Sequence, residues 1–166
     1  LERFQPFTDY LSKELGVLVK LRVANDYTAV IEGQKNKQIH IGNYGPGSYA
    51  RANTVSGGNV IPFVTTKSSD GVIGYYSVMY VMAGSSAKKV DELKGKTLAM
   101  VDVESTSGYK APNFFLTQEG FPIDKHFKTA QTAGSHENAV LSLAAGTADA
   151  ALNWWNSEDD SNLTRM

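Results

Sequence analysis

The sequence contains no cysteine, which removes disulfides, thiolate metal sites and cysteine nucleophiles together and leaves the redox compartment undecided. It also has no apolar run near the roughly 20 residues that a membrane span needs. Leu1-Glu2-Arg3-Phe4 lacks the basic-then-apolar layout of a signal peptide. Neither sign of charge is in excess: 16 basic and 17 acidic side chains give a formal net charge of -1. No global field therefore draws the chain to nucleic acid or to an anionic membrane surface, and no membrane insertion is expected. Any anion site must be local. Signatures of catalysis are missing as well, with no Walker loop, Gly-x-Ser-x-Gly elbow, His-Glu-x-x-His helix or obvious carboxylate pair. An enzyme is not expected, and no metal or cofactor is called for. What is present is enough apolar material for a core: 166 residues that are 42% hydrophobic suit one or two compact units.

Along the chain, helix and strand patterns alternate, which favours parallel α/β layers. Phe4, Phe7, Leu11 and Leu15 form one helical stripe that Gly16 can terminate. Val17, Val19, Leu21 and Val23 alternate as a strand, 28–34 suits a helix, and 38–43 reads as another strand leading into Tyr44-Gly45-Pro46. Strands are expected at 60–66, 75–83 and 97–103, with a helix-compatible stretch at 85–94. A later helix would bury Phe114, Phe115 and Leu116, with Pro112 confined to its first turn. A weak internal repeat also appears. Asn25-Asp26-Tyr27-Thr28-Ala29-Val30 aligns with Ser135-His136-Glu137-Asn138-Ala139-Val140, and without a gap Asn43-Tyr44 aligns with Asn153-Trp154. Each copy reads as polar turn, helix and strand, so the chain is expected to hold two similar α/β lobes, 1–78 and 79–166.

In open α/β sheets ligands bind beyond the carboxyl ends of strands, where helix starts offer unpaired N–H groups. Asp26-Tyr27-Thr28, Ser105-Thr106-Ser107-Gly108 and Ser135-His136 are such places. Hydroxyls donate to anion oxygens without adding charge, glycine admits backbone N–H groups, and histidine can donate from a ring nitrogen. Taken singly, each turn is an ordinary helix cap; only their convergence would make a site for a compact tetrahedral oxyanion. Tyr44 lies at an expected strand end and Tyr75-Tyr76 where one lobe could hand over to the other, places where a tyrosine can either pack or enclose and bond a ligand. His40 and His126 receive no role.

Asp26-Tyr27-Thr28-Ala29-Val30, Tyr44-Gly45-Pro46, Gly74-Tyr75-Tyr76-Ser77, Leu93-Lys94-Gly95-Lys96, Ser105-Thr106-Ser107-Gly108-Tyr109 and Gly134-Ser135-His136 resemble, in order and spacing, the phosphonate-binding periplasmic proteins of ABC transporters. The resemblance implies a type II periplasmic-binding fold, with two α/β lobes, a hinge of crossing strands and a ligand cleft between them. It implies Ser105, Thr106, Ser107 and His136 around the phosphonyl oxygens from the second lobe. Tyr27 and one of Tyr75 or Tyr76 would reach in from the first lobe or the hinge, and Tyr44 would line the cleft. The partners implied are a small phosphorus oxyanion and a membrane permease, in the periplasm. Members of the family are longer, so the chain is expected to be a fragment lacking a first strand and the return crossing. Members that recognise aminoalkyl phosphonates hold the amine on acidic side chains after the strand of Asn153, whereas here Trp154-Trp155-Asn156 precede Glu158. Phosphite or methylphosphonate is thus left open as the ligand. The same fold also serves as the sensing domain of transcription regulators and receptors, which the site residues do not distinguish.

Overall fold

The computed structural model describes residues 2–68 and 71–166. Helix α1 (Gln5–Leu15) carries a proline in its first turn and ends at Gly16, whose φ of 66° is the left-handed cap that glycine takes readily. Helix α2 (Tyr27–Lys35) starts at Asp26, whose carboxylate accepts the Ala29 N–H at 2.7 Å. Helix α3 (Pro46–Val55) follows, and Ile31, Ala52 and Val60 bury a small core between α2 and α3.

The strands expected in this first part do not form. Residues 17–23, 38–43 and 60–66 belong to no strand, although β1 (Tyr76–Val81) appears where expected. Their alternation is real, but a strand exists only through a ladder with a neighbour. Without one, Leu18, Val23, Ile61, Phe63 and Val64 are left more than two-thirds exposed. The α1 stripe faces solvent for the same reason: Phe4, Phe7 and Leu15 are exposed, and Thr8 is the residue that α1 buries.

One sheet organises the rest, in the order β1-β4-β2-β3, with β5 (Asp160–Ser161) paired to β4. Strand β4 (Ala150–Ser157) is central. It runs antiparallel to β1, from Tyr76 opposite Trp155 to Val81 opposite Ala150, and parallel to β2 (Thr97–Met100), which in turn pairs in parallel with β3 (Thr129–Thr132). Side chains alternate across the sheet. Leu98, Met100, Ala150 and Leu152 pack with Ile123 and Phe127 on one face. Ala99, Val101 and Ala151 pack with Ala139 and Leu143 of helix α6 (His136–Ala144) on the other. The alanines let α6 approach closely.

The sequence 85–94 makes only a short 3-10 turn, Val90–Leu93. Helix α4 (Ala111–Gln118) takes Pro112 in its first turn as expected. It exposes Phe114 and Phe115, contrary to expectation, and turns only Leu116 to the core. Adjacent positions 114, 115 and 116 cannot share one face of a helix, since each step turns about 100°. Short helices α5 (Ile123–His126) and α7 (Asn162–Arg165) complete the chain. Among the described residues no helix is long and apolar enough to cross a membrane.

Candidate functional site

Beyond the end of β2 the chain makes a tight π-helical turn, Thr106–Lys110. The Ser105 hydroxyl accepts the Gly108 N–H at 3.0 Å, and the Ser105 carbonyl accepts the Lys110 N–H at 2.9 Å. Position 108 must be glycine on steric grounds: a Cβ there would lie 2.3 Å from Val101 Cβ and 2.8 Å from Ser105 Oγ. The turn therefore holds Ser105 and Ser107 almost fully buried, 1% and 2% exposed, at the sheet end.

Onto this turn comes the start of α3. The Gly47 N–H donates to Thr106 Oγ1 at 2.8 Å, and Lys110 Nζ donates to the Gly47 carbonyl at 3.3 Å while pairing with Glu104. Arg51 Nε lies 3.8 Å from the same Glu104 carboxylate. A Cβ on Gly45 would sit 3.3 Å from both Thr106 Oγ1 and Tyr75 Oη. Both hydroxyls thus lie close to the bare Gly45 backbone.

Tyr27, the first residue of α2, joins the group. Its phenol lies beside the Ser105 side chain, and its backbone N–H donates to Asp102 Oδ2 at 3.4 Å. Burial pushes the phenol above its ordinary value of 10.0 against the lowering by Ser105, and the nearby Asp102, Tyr75 and Glu137 add to the rise. The phenol is thus neutral and keeps its hydrogen. The Gly134-Ser135-His136 turn approaches from the other side, with Gly134 so placed that a Cβ would lie 3.6 Å from the Asn25 carbonyl. Ser135 caps α6 by accepting the Asn138 N–H at 3.1 Å. His136 Nδ1 lies 2.9 Å from Asn153 Oδ1 on β4, and burial holds its ring below the ordinary 6.5.

The structure thus brings Tyr27, Tyr75, Ser105, Thr106 and Ser107 together, with His136 on the adjoining turn. Tyr44 is placed differently: its hydroxyl donates to Gln34 Oε1 at 2.7 Å and its ring packs on the Ile31, Ala52 and Val60 core. Tyr76 is 65% exposed, its ring 5.8 Å from that of Trp155. Two surface hollows, one beside Asn25, Asp26 and Gln38 and the other beside Met100, Asn113 and Lys125, are lined by none of these residues. In this conformation the Thr106 and Ser105 hydroxyls accept from the Gly47 and Gly108 N–H groups.

Sequence reading missed Asp102, which accepts the Glu104 N–H at 2.7 Å and the Tyr27 N–H, and Asn153, which orients His136. Asn153 had a signal, as the repeat partner of Asn43 at a polar strand end. The Glu104, Lys110 and Arg51 cluster had none, since Arg51 is far in sequence from the other two. Among the described residues no group of three or more His, Asp or Glu side chains is placed to hold a metal ion.

The family model described as "ABC transporter, phosphonate, periplasmic substrate-binding protein" matches residues 1–161. The chain belongs to this family. Among its relatives, it is 32% identical over 155 residues to the phosphonates-binding periplasmic protein of Escherichia coli, covering 91% of this chain and 45% of that protein. It is 31% identical over 157 residues to the probable ABC transporter phosphite binding protein PhnD1 of Prochlorococcus marinus, covering 92% and 52%. The chain spans about half the length of the curated relatives it matches. Among solved structures, it superposes on a binding protein component of an ABC phosphonate transporter from Pseudomonas aeruginosa with a TM-score of 0.81 at 24% identity, covering 92% of this chain and 51% of that one. It superposes on PhnD1 of Prochlorococcus marinus in complex with methylphosphonate with a TM-score of 0.68 at 25% identity, covering 91% and 57%. The mixed α/β architecture expected from the sequence is thus the fold of the family's binding proteins.

Proposed function

We propose that the chain forms part of a solute-binding protein that captures a small phosphorus oxyanion, such as methylphosphonate or phosphite, and delivers it to an ABC permease from the periplasm. The observation that carries this reading is that the Thr106 and Tyr75 hydroxyls both lie close to the Gly45 backbone, on the turn whose preceding residue, Ser105, neighbours the Tyr27 phenol. Neutral donors and backbone N–H groups can surround an anion without a buried cation, which fits a chain with no charge excess. Ser107 and His136 would complete the oxygen contacts, while Tyr44 and Tyr76 would wall the cleft.

Two lobes, 1–78 and 79–166, would close on the ligand, with the boundary falling inside β1. Ligand contact with both lobes in the closed form alone would shift the open-closed equilibrium, and the closed form would be what the permease reads. The protein's role is capture rather than turnover, with neither nucleic acid nor the bilayer interior as a partner. Calorimetry against methylphosphonate, phosphite, phosphate and aminoethylphosphonate tests the proposal. Saturable binding of at least one is expected, without release of inorganic phosphate from the phosphonates. Heats of dilution alone for all four would end it.

A further inference from the structure

Asn153 is the best-anchored side chain near the site. It is fully buried, and its Oδ1 accepts the Trp154 N–H at 2.9 Å. Its Nδ2 donates to the His136 carbonyl at 3.0 Å and to Asn162 Oδ1 at 3.2 Å. Flipping the amide would set its NH2 against a donor and its oxygen against two acceptors, so the orientation follows from the network. His136 Nδ1 faces an acceptor and must therefore carry the ring hydrogen.

The neutral ring then has only a lone pair at Nε2, and among the described residues no hydrogen bond engages that atom. Nearby charged groups do little to force a second proton onto the ring. Glu137 on its own helix favours the charged form, but burial outweighs it. Asp102 at the end of β2 is bonded to the Tyr27 and Glu104 N–H groups, and Asp26 caps α2. Arg165 of α7 is held 2.8 Å from Asp160 and 4.7 Å over the Trp154 ring. The neighbouring Tyr27 phenol stays neutral.

We propose that His136 Nε2 accepts a hydrogen from the bound oxyanion, so that the site selects a ligand bearing one P–OH group over a tetrahedral dianion with none, such as sulfate. This rests on the reading above and narrows it: the ligand is the monoprotonated monoanion of a phosphonate or phosphite. Asn153 is the positioning residue that sets the selection.

The test is calorimetry of the full chain with methylphosphonate and with sulfate, across pH and in buffers of different protonation enthalpy. Above the second ionisation of methylphosphonate, about one proton should be taken up per ligand bound, and Kd should rise about tenfold per pH unit. Sulfate should bind more than about tenfold more weakly, the order of loss expected when a site's polar group is left unpaired. Asn153→Asp should favour the charged ring and raise sulfate affinity relative to methylphosphonate. If that variant fails to fold, His136→Gln serves instead: it should abolish the proton uptake and bring the two affinities together. A Kd independent of pH with no proton uptake, or sulfate within about tenfold of methylphosphonate in the unaltered chain, overturns the proposal but leaves capture of an oxyanion standing. Absence of binding by methylphosphonate, phosphite and phosphate alike removes both.

Discussion

Thr106 shows how one backbone amide can aim a side chain. Because its oxygen accepts the Gly47 N–H at 2.8 Å, the hydroxyl hydrogen points away from that bond and is left to donate to the proposed ligand. Thr106→Ala should therefore weaken ligand binding by about 10- to 100-fold, equivalent to about 1.5–3 kcal/mol for a hydrogen bond to a charged group. Thr106→Ser should keep most of the affinity; titration calorimetry compares the two. His136 makes a separate prediction about stability. Its pKa is lower folded than unfolded, so as pH falls through 6.5 the unfolded chain takes up a proton that the folded chain refuses. Stability should decline from there down to the folded value and then level off. His136→Gln should flatten that acid limb in thermal melts recorded at successive pH values.

Among the elements, the π-helical turn is the least tolerant of change. Gly108→Ala would push a methyl group into the Cβ of Val101, a branched and fully buried neighbour with no room to yield. The loss should be at least the roughly 1–3 kcal/mol of an overpacked core, seen as a lower denaturation midpoint and an equal or greater loss of ligand binding. Leu98→Ala, on the β2 face against Ile123 and Phe127, should cost about 2–5 kcal/mol by the cavity it opens, without touching the ligand groups. These elements were also the ones legible in advance. Helix α2, strand β1, the β2 core, the turn at Ser105–Ser107 and the α6 start at Ser135 all announce themselves through caps, glycines and alternation that act within a few residues. The strands at 17–23, 38–43 and 60–66 were not legible as absent, because a ladder partner is a property of the whole chain. Asp102 and Asn153 were missed because their meaning comes from what folds against them, and the Tyr44 bond to Gln34 was not legible because it depends on how the 38–43 segment turns back.

For the whole molecule, the apolar surface is distributed unevenly. Strands β2 and β4 bury apolar side chains on both faces of the sheet, whereas the first part leaves Ile61, Phe63 and Val64 about three-quarters exposed alongside Leu18 and Val23. Exposed apolar groups of this kind promote association. Phe63→Ser should reduce self-association in light scattering while changing stability by no more than about 0.5 kcal/mol, as for other surface substitutions. The position of β4 also matters for the timing of motion. Its amides are bonded to β1 and β2 and it pairs again with β5, so they should be among the slowest to exchange with deuterated solvent, while 17–24 and 60–68 exchange early. Asn153 rides on that slow strand, whereas Gly47 belongs to a helix of the first part that touches the Thr106 turn, so any breathing between the halves should leave the imidazole's orientation intact while the threonine loses its amide partner.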